Sequence, residues 1–317
     1  MLGFAENTCL HMRDQQLNRR QFLHHSAALA GATWIAPLIG TSCSTVAAQT
    51  AKRTATDQVA LGKTGLKLSR LGMGTGSNSG NVQYGLGKEA FIKLVRYAYD
   101  HGITYFDAAQ SYRTFDWIGD AIQGLPREKL FLQTKIPGKP DKVMETIDRH
   151  RKTFNTDYLD SLLIHCMVKD GWTDDMKRIM DAFDEAKEKK IIRAKGVSCH
   201  SLPALRTAAA SPWNDVHLVR INPQAKHIDG LAQTWNESGD KIEPVLQEIQ
   251  TMHAKGHGVI GMKIIGNGDF TNADDREKSI RFAMAHPEID AIVIGFKSEA
   301  EIDEAIERVN RALAASA

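Results

Sequence analysis

GITYFDAAQSYRTFDWIGDAIQGLPREKLFLQTKIPGKPDKVMETIDRHRKTFNTDYLDSLLIH, residues 102–165, contains three apolar, strand-like runs, each ending on a polar residue: Asp107, Lys135 and His165. Between the runs, apolar residues recur at helical spacing near 115–124 and 141–154. Alternating strand and helix signals of this kind predict a parallel sheet with helices outside it. Working outward, strand-like runs fall near 70–75, 103–107, 130–135, 159–165, 192–198, 216–222, 258–263 and 290–295. Helical patterns fall near 88–101, 115–124, 141–154, 174–189, 201–210, 241–255, 274–286 and 299–313. Repeated units in this number predict a (β/α)8 TIM barrel, an α/β architecture of about 250 residues. An open dinucleotide-binding sheet is disfavoured, because Gly72-Met73-Gly74-Thr75-Gly76 has the wrong spacing for its glycine turn and no helix opens from it.

The barrel is expected to fill 49–317 as one domain behind a leader at 1–48. In that leader, Asn18-Arg19-Arg20-Gln21-Phe22-Leu23 precedes a weakly charged apolar run at 26–39, and Val46-Ala47-Ala48 suits a cleavage site. The pattern resembles a twin-arginine export signal, which would place the mature chain in the periplasm. A short basic amphipathic helix is the competing reading. The run is too short and too interrupted by Gly and Pro for a membrane span. Gly40-Thr41-Ser42 before Cys43 lacks the leucine usual in a lipid-anchor signal, so no anchor is expected there.

Charge is nearly balanced, with 40 Lys and Arg against 38 Asp and Glu, and no basic stripe carries interleaved aromatics. Both observations argue against a nucleic-acid partner. Of the four cysteines, Cys9 and Cys43 fall in the leader and Cys166 and Cys199 in the barrel. No Cys or His spacing points to a metal. An oxidising compartment permits a disulfide between Cys166 and Cys199. Neighbouring side chains on parallel strands seldom meet its geometry, and two free thiols are the favoured reading.

In a barrel the strand C-termini and the loops after them form the active face. Asp107, Lys135 and His165 end the second, third and fourth strands and Tyr112 lies in the second loop, so all four are expected at one mouth. Alone, each has a plain structural explanation: a helix cap, a solvated lysine, a satisfied core histidine. Placed together, they make a proton-transfer set. A free phenol titrates near about 10; an adjacent ammonium lowers that value, and a carboxylate keeps the ammonium charged.

The stretches FDAAQSY (106–112), TK (134–135), DYLDSLLIH (157–165) and LGKTGLKLSRLGMGT (61–75) together resemble the aldo-keto reductase family, over roughly 59–309. The resemblance implies that residues 59–68 form a hairpin closing the barrel floor. It also implies hydride exchange between a nicotinamide dinucleotide and a small carbonyl or alcohol substrate. Tyr112 would be the general acid, Lys135 and Asp107 its supports, and His165 the group that positions the substrate oxygen. Cofactor contacts are implied at Gly74, Thr75, Ser198, Cys199, Arg220, Lys263, Ile265, Gly266, Gly268, Gly295, Lys297, Ser298 and Glu301.

Lys297 and Ser298 suit the 2′-phosphate of NADP(H), while Glu301 and Ala305 depart from the family pattern, so NADP(H) is preferred only slightly over NAD(H). Cys199 stands where asparagine is common and Arg220 where glutamine is usual; that arginine would alter hydride affinity or hold an acidic substrate. Trp172 and Trp235 are expected as aromatic pocket walls or as loop packing. Free NADPH is not expected outside the cytoplasm, which implies a recycled cofactor or a redox partner. The rival reading is a cofactor-loaded redox sensor with little turnover.

Overall fold

A computed structural model describes residues 53–235 and 239–315. The expected leader at 1–48, with Arg19, Arg20 and Cys43, lies outside the described residues. Two short strands, β1 (Gln58–Ala60) and β2 (Lys67–Ser69), pair antiparallel as the expected hairpin. The parallel strands follow: β3 (Leu71–Gly74), β4 (Tyr105–Asp107), β5 (Phe131–Pro137), β6 (Leu159–Met167), β7 (Ile192–Cys199), β8 (Val216–Arg220), β9 (Gly258–Met262) and β10 (Ala291–Gly295). They close in the order β10-β3-β4-β5-β6-β7-β8-β9, a complete barrel. Around it run α1 (Asn81–Tyr84), α2 (Lys88–Asp100), α3 (Ile118–Ile122), α4 (Val143–Thr153), α5 (Trp172–Glu188), α6 (Leu202–Ala210), α7 (Glu243–Lys255), α8 (Ala273–Ala285) and α9 (Glu299–Ala315).

A barrel strand is covered on both faces, which is why these strands read as nearly continuous apolar runs. Asp160 is an exception inside β6, and it is fully paired. Its carboxylate accepts from the Leu132 N–H at 2.9 Å, from Arg127 at 2.7 Å and from Arg193 at 2.8 Å. On the hairpin, Leu61, Leu66 and Leu68 are buried against Tyr105, Phe131, Leu218 and Ile260 inside the barrel, closing its floor. A Cβ on Gly258 would lie 2.5 Å from the Leu61 side chain, so glycine there makes room for the plug.

Several boundaries differ from the sequence reading; β5, for one, does not end on Lys135 but runs on to Pro137. The turn α1 sits between glycines within 78–85 and is too short to show a helical period. The third helix opens as a 3-10 turn at Phe115–Trp117. Strand β6 runs past His165 to Met167 with a register shift against β7 between Ile164 and Met167, and Cys166 has φ 65°. Such a bulge re-aims the side chain beside it. Cys166 and Cys199 are both free thiols. Among the described residues, no helix is long and apolar enough to cross a membrane.

Candidate active site

Strand β4 ends on Asp107 and β5 carries Lys135, two neighbouring strands that bring carboxylate and ammonium together inside the barrel mouth. Lys135 Nζ donates to both Asp107 oxygens at 2.7 Å, to the Ala108 carbonyl at 2.8 Å and to the Tyr112 hydroxyl at 3.3 Å. Gln133, also on β5, donates to Asp107 Oδ1 at 2.9 Å. Tyr112 reaches the site from the loop after β4. Thr75 pins that loop: its hydroxyl donates to the Asp107 carbonyl, and its own carbonyl accepts from the Thr114 hydroxyl, both at 3.0 Å. His165 meets the Tyr112 ring edge-on, centroids 5.7 Å apart. The expected tetrad is therefore one cluster.

Its electrostatics differ from the sequence expectation at one point. Burial raises the Tyr112 phenol more than the Lys135 ammonium lowers it, so the resting hydroxyl titrates above its ordinary value. Lys135 shows the opposite balance. Burial alone would lower its ammonium, but Asp107 and Tyr112 outweigh it and hold the lysine charged. Burial, with Lys135 and Lys263 nearby, pushes His165 down to about 3, so its ring is neutral. Ser111, which the sequence reading passed over, places its hydroxyl 3.3 Å from His165 Nδ1.

A cavity of about 680 Å³ is lined at once by Asp107 and Tyr112, by Gly74, Lys263, Ile265 and Gly268, and by Gly295, Lys297 and Glu301. It runs from Asp107 and Tyr112 to the junction of β10 and α9, while Lys135 and His165 lie outside its lining. Between β9 and α8 the chain turns through positive φ at Lys263, Gly266, Asn267 and Gly268. Lys263 Nζ donates to Asn267 at 2.7 Å, and burial beside Arg220 lowers its ammonium to about 8. Arg276 and Arg308 also line the cavity, facing Glu304. Neither arginine was among the expected contacts.

Other expected contacts are used differently. Cys199 is buried in the core with its thiol on the Ala204 carbonyl, so it does not line the cavity. The Ser198 hydroxyl accepts from the Cys166 N–H at 3.0 Å, across the β6 bulge. Ser298 caps α9 by accepting from the Glu301 N–H at 3.3 Å, and Glu301 accepts from the Lys297 N–H at 2.9 Å. The Arg220 guanidinium faces an internal carboxylate, Asp229, at 3.5 Å. Trp172 is buried and donates to the Ala204 carbonyl at 3.1 Å, tying α5 to α6; it is not a pocket wall. Trp235 is 66% exposed.

Residues 70–316 match the aldo/keto reductase family, and the chain belongs to it. It is 27% identical over 222 residues to an uncharacterized oxidoreductase of Schizosaccharomyces pombe, covering 66% of this chain and 62% of that protein. It is 27% identical to an aldo-keto reductase of Bacillus subtilis, covering 49% of this chain and 50% of the relative. With a methylglyoxal reductase of Salmonella typhimurium it shares 31% identity, over 40% of this chain and 49% of the other. The chain thus spans about half to 62% of the length of these relatives. Among solved structures, a putative aldo-keto reductase from Pseudomonas aeruginosa has the same fold, at TM-score 0.65 and 20% identity over 82% of this chain and 97% of that one. An aldo/keto reductase from Klebsiella pneumoniae in complex with NADP and acetate superposes at TM-score 0.59 and 16% identity, over 81% and 90% of the two chains.

Proposed function

We propose that the protein is an NADP(H)-dependent oxidoreductase that reduces a small aldehyde, ketone or sugar-type carbonyl, or oxidises the corresponding alcohol. The observation that carries this reading is the Asp107–Lys135–Tyr112 chain, whose Asp107 and Tyr112 line a cavity that also reaches Lys297. The residues present fit a dinucleotide: the cavity size suits a cofactor site, and Lys263 and Lys297 offer cations to phosphates. Bound nicotinamide supplies the hydride. Tyr112 donates its phenolic proton to the carbonyl oxygen, and burial keeps that proton in place until a substrate arrives. Lys135, held charged by Asp107, stabilises the phenolate left behind. His165 is neutral, with Ser111 3.3 Å from its Nδ1; in the tautomer whose proton sits on Nε2, that N–H holds the same oxygen.

Absorbance of NADPH, followed with a panel of carbonyls, tests the reading. Tyr112→Phe is expected to lose turnover by about 100-fold or more while NADPH fluorescence titration stays nearly unchanged. Full turnover by that variant refutes the role of Tyr112, and a spectrally silent wild type with every carbonyl favours the sensor reading. We also propose export through the twin-arginine route. Mass spectrometry of a periplasmic extract is expected to find a chain beginning near Gln49; an uncleaved cytoplasmic chain overturns that.

A further inference from the structure

His200 lies one residue beyond β7, with its N–H donating to the Met167 carbonyl at 2.7 Å. Its ring meets that of His165 edge-on, centroids 6.3 Å apart and planes at 84°. Arg220 Nη2 donates to His200 Nδ1 and, at 2.8 Å, to the Trp235 carbonyl. A guanidinium has only donors, so Nδ1 is an acceptor and the ring proton sits on Nε2. Burial, with Arg220 beside it, keeps the ring neutral. The Arg220–Asp229 pair, with side chains 4% and 0% exposed, fixes the donor that sets this tautomer. Among the described residues, His200 Nε2 has no hydrogen-bond partner in the fold.

The tetrad does not use this second imidazole. One carbonyl oxygen takes the proton of Tyr112 and the N–H of His165, and the His200 ring, centroid 6.3 Å from that of His165, carries a second N–H beside it. We propose that His200 is a specificity-determining residue that holds an oxygen on the carbon next to the carbonyl, so that the site selects 2-hydroxyaldehydes, 2-hydroxyketones or 1,2-dicarbonyls over simple aldehydes. The inference rests on the carbonyl-reductase reading and deepens it. It also explains why an arginine stands at the end of β8: the residue acts through His200, as a positioning group.

The test compares kcat/KM for 2-hydroxypropanal and propanal, which differ by that one oxygen, with NADPH as donor. The unaltered enzyme is expected to favour 2-hydroxypropanal by about tenfold or more. His200→Phe brings the ratio near one, chiefly through KM for the hydroxylated substrate, and His200→Gln, which keeps an N–H donor, restores part of it. Equal loss on both substrates in His200→Phe, or no preference in the unaltered enzyme, overturns the inference and leaves the reductase reading intact. No turnover of either aldehyde by the unaltered enzyme removes both. Histidine 15N spectra of the unaltered protein provide a check that needs no variant: Nε2-protonated His200 is expected, and an Nδ1–H or imidazolium form overturns the assignment.

Discussion

An ammonium has three hydrogens, and at Lys135 three acceptors lie within 2.8 Å: the two Asp107 oxygens and the Ala108 carbonyl. Tyr112, at 3.3 Å, is the fourth and the weakest. The resting site therefore spends its lysine on the carboxylate and keeps the phenol protonated. Removing one partner of a buried pair leaves the other uncompensated, at a cost of about 3–5 kcal/mol. Lys135→Met is expected to lose stability of that order in urea denaturation together with activity, while Tyr112→Phe loses activity alone. Equal stability of the two variants would contradict this account. Asp107→Asn removes the group that lifts the Lys135 ammonium against burial, so the lysine should deprotonate at lower pH. The alkaline limb of the kcat–pH profile is expected to move to lower pH, and an unmoved limb would separate Lys135 from the reaction. Gly76 matters by absence of a side chain: a Cβ there would lie 2.2 Å from the Tyr112 ring. Gly76→Ala is expected to displace the phenol and lower turnover by about tenfold or more, checked by steady-state kinetics beside unchanged circular dichroism.

The start of α9 shows how one element serves two ends. Ser298-Glu299-Ala300-Glu301 is a capping-box sequence. The Ser298 hydroxyl and the Glu301 carboxylate are engaged at the helix start and with Lys297, the cation that the proposed reading assigns to a 2′-phosphate. Glu301→Gln keeps an acceptor for the Lys297 N–H and removes the negative charge. NADPH affinity is expected to rise in that variant by about threefold to tenfold with NADH affinity little changed, as read by fluorescence titration; equal affinities before and after would place the phosphate elsewhere. The element sequence and the tetrad were legible because strand-end positions follow from apolar runs of fixed period, and Asp107, Lys135 and His165 close three of them. The direction of a side chain across an element was not legible. Cys199 and Ser198 are adjacent on β7, yet alternation sends the thiol to the core under α6 and the hydroxyl to the bulge at Cys166. Trp172 opens α5 with its ring inward, and Arg220 is met by Asp229 from a loop with no periodic signal. The β6 bulge is a register event between two strands, and a single strand's sequence does not contain it.

Across the whole molecule, neutral histidines are built into the barrel wall and mouth. His150 is fully buried between the Thr134 hydroxyl at 3.2 Å and Gln110 at 3.1 Å, and burial pushes it down to about 3. His165 is likewise held at about 3, His200 is well below its ordinary value, and buried His217, stacked on His257, is too. In the unfolded chain each regains a value near about 6.5. Below that pH the unfolded state binds protons that the folded state refuses, so stability falls as pH falls, down to the depressed folded values. The histidine contribution is accordingly flat above about pH 7 and declines from about 6.5 downward, each fully buried histidine contributing a slope of about 1.4 kcal/mol per pH unit. Depressed carboxylates act in the same direction but later: the guanidinium of Arg311 and its neighbours hold Glu277 at about 2, so its share is lost only below the ordinary glutamate range. Between about pH 6.5 and 4.5 the histidines therefore dominate. Urea midpoints across that window are expected to fall steadily, and His150→Gln, which keeps polar atoms for Thr134 and Gln110, is expected to make the fall shallower by about 1.4 kcal/mol per unit. A slope that is the same in that variant would mean that the buried imidazoles do not carry the acid sensitivity of the fold.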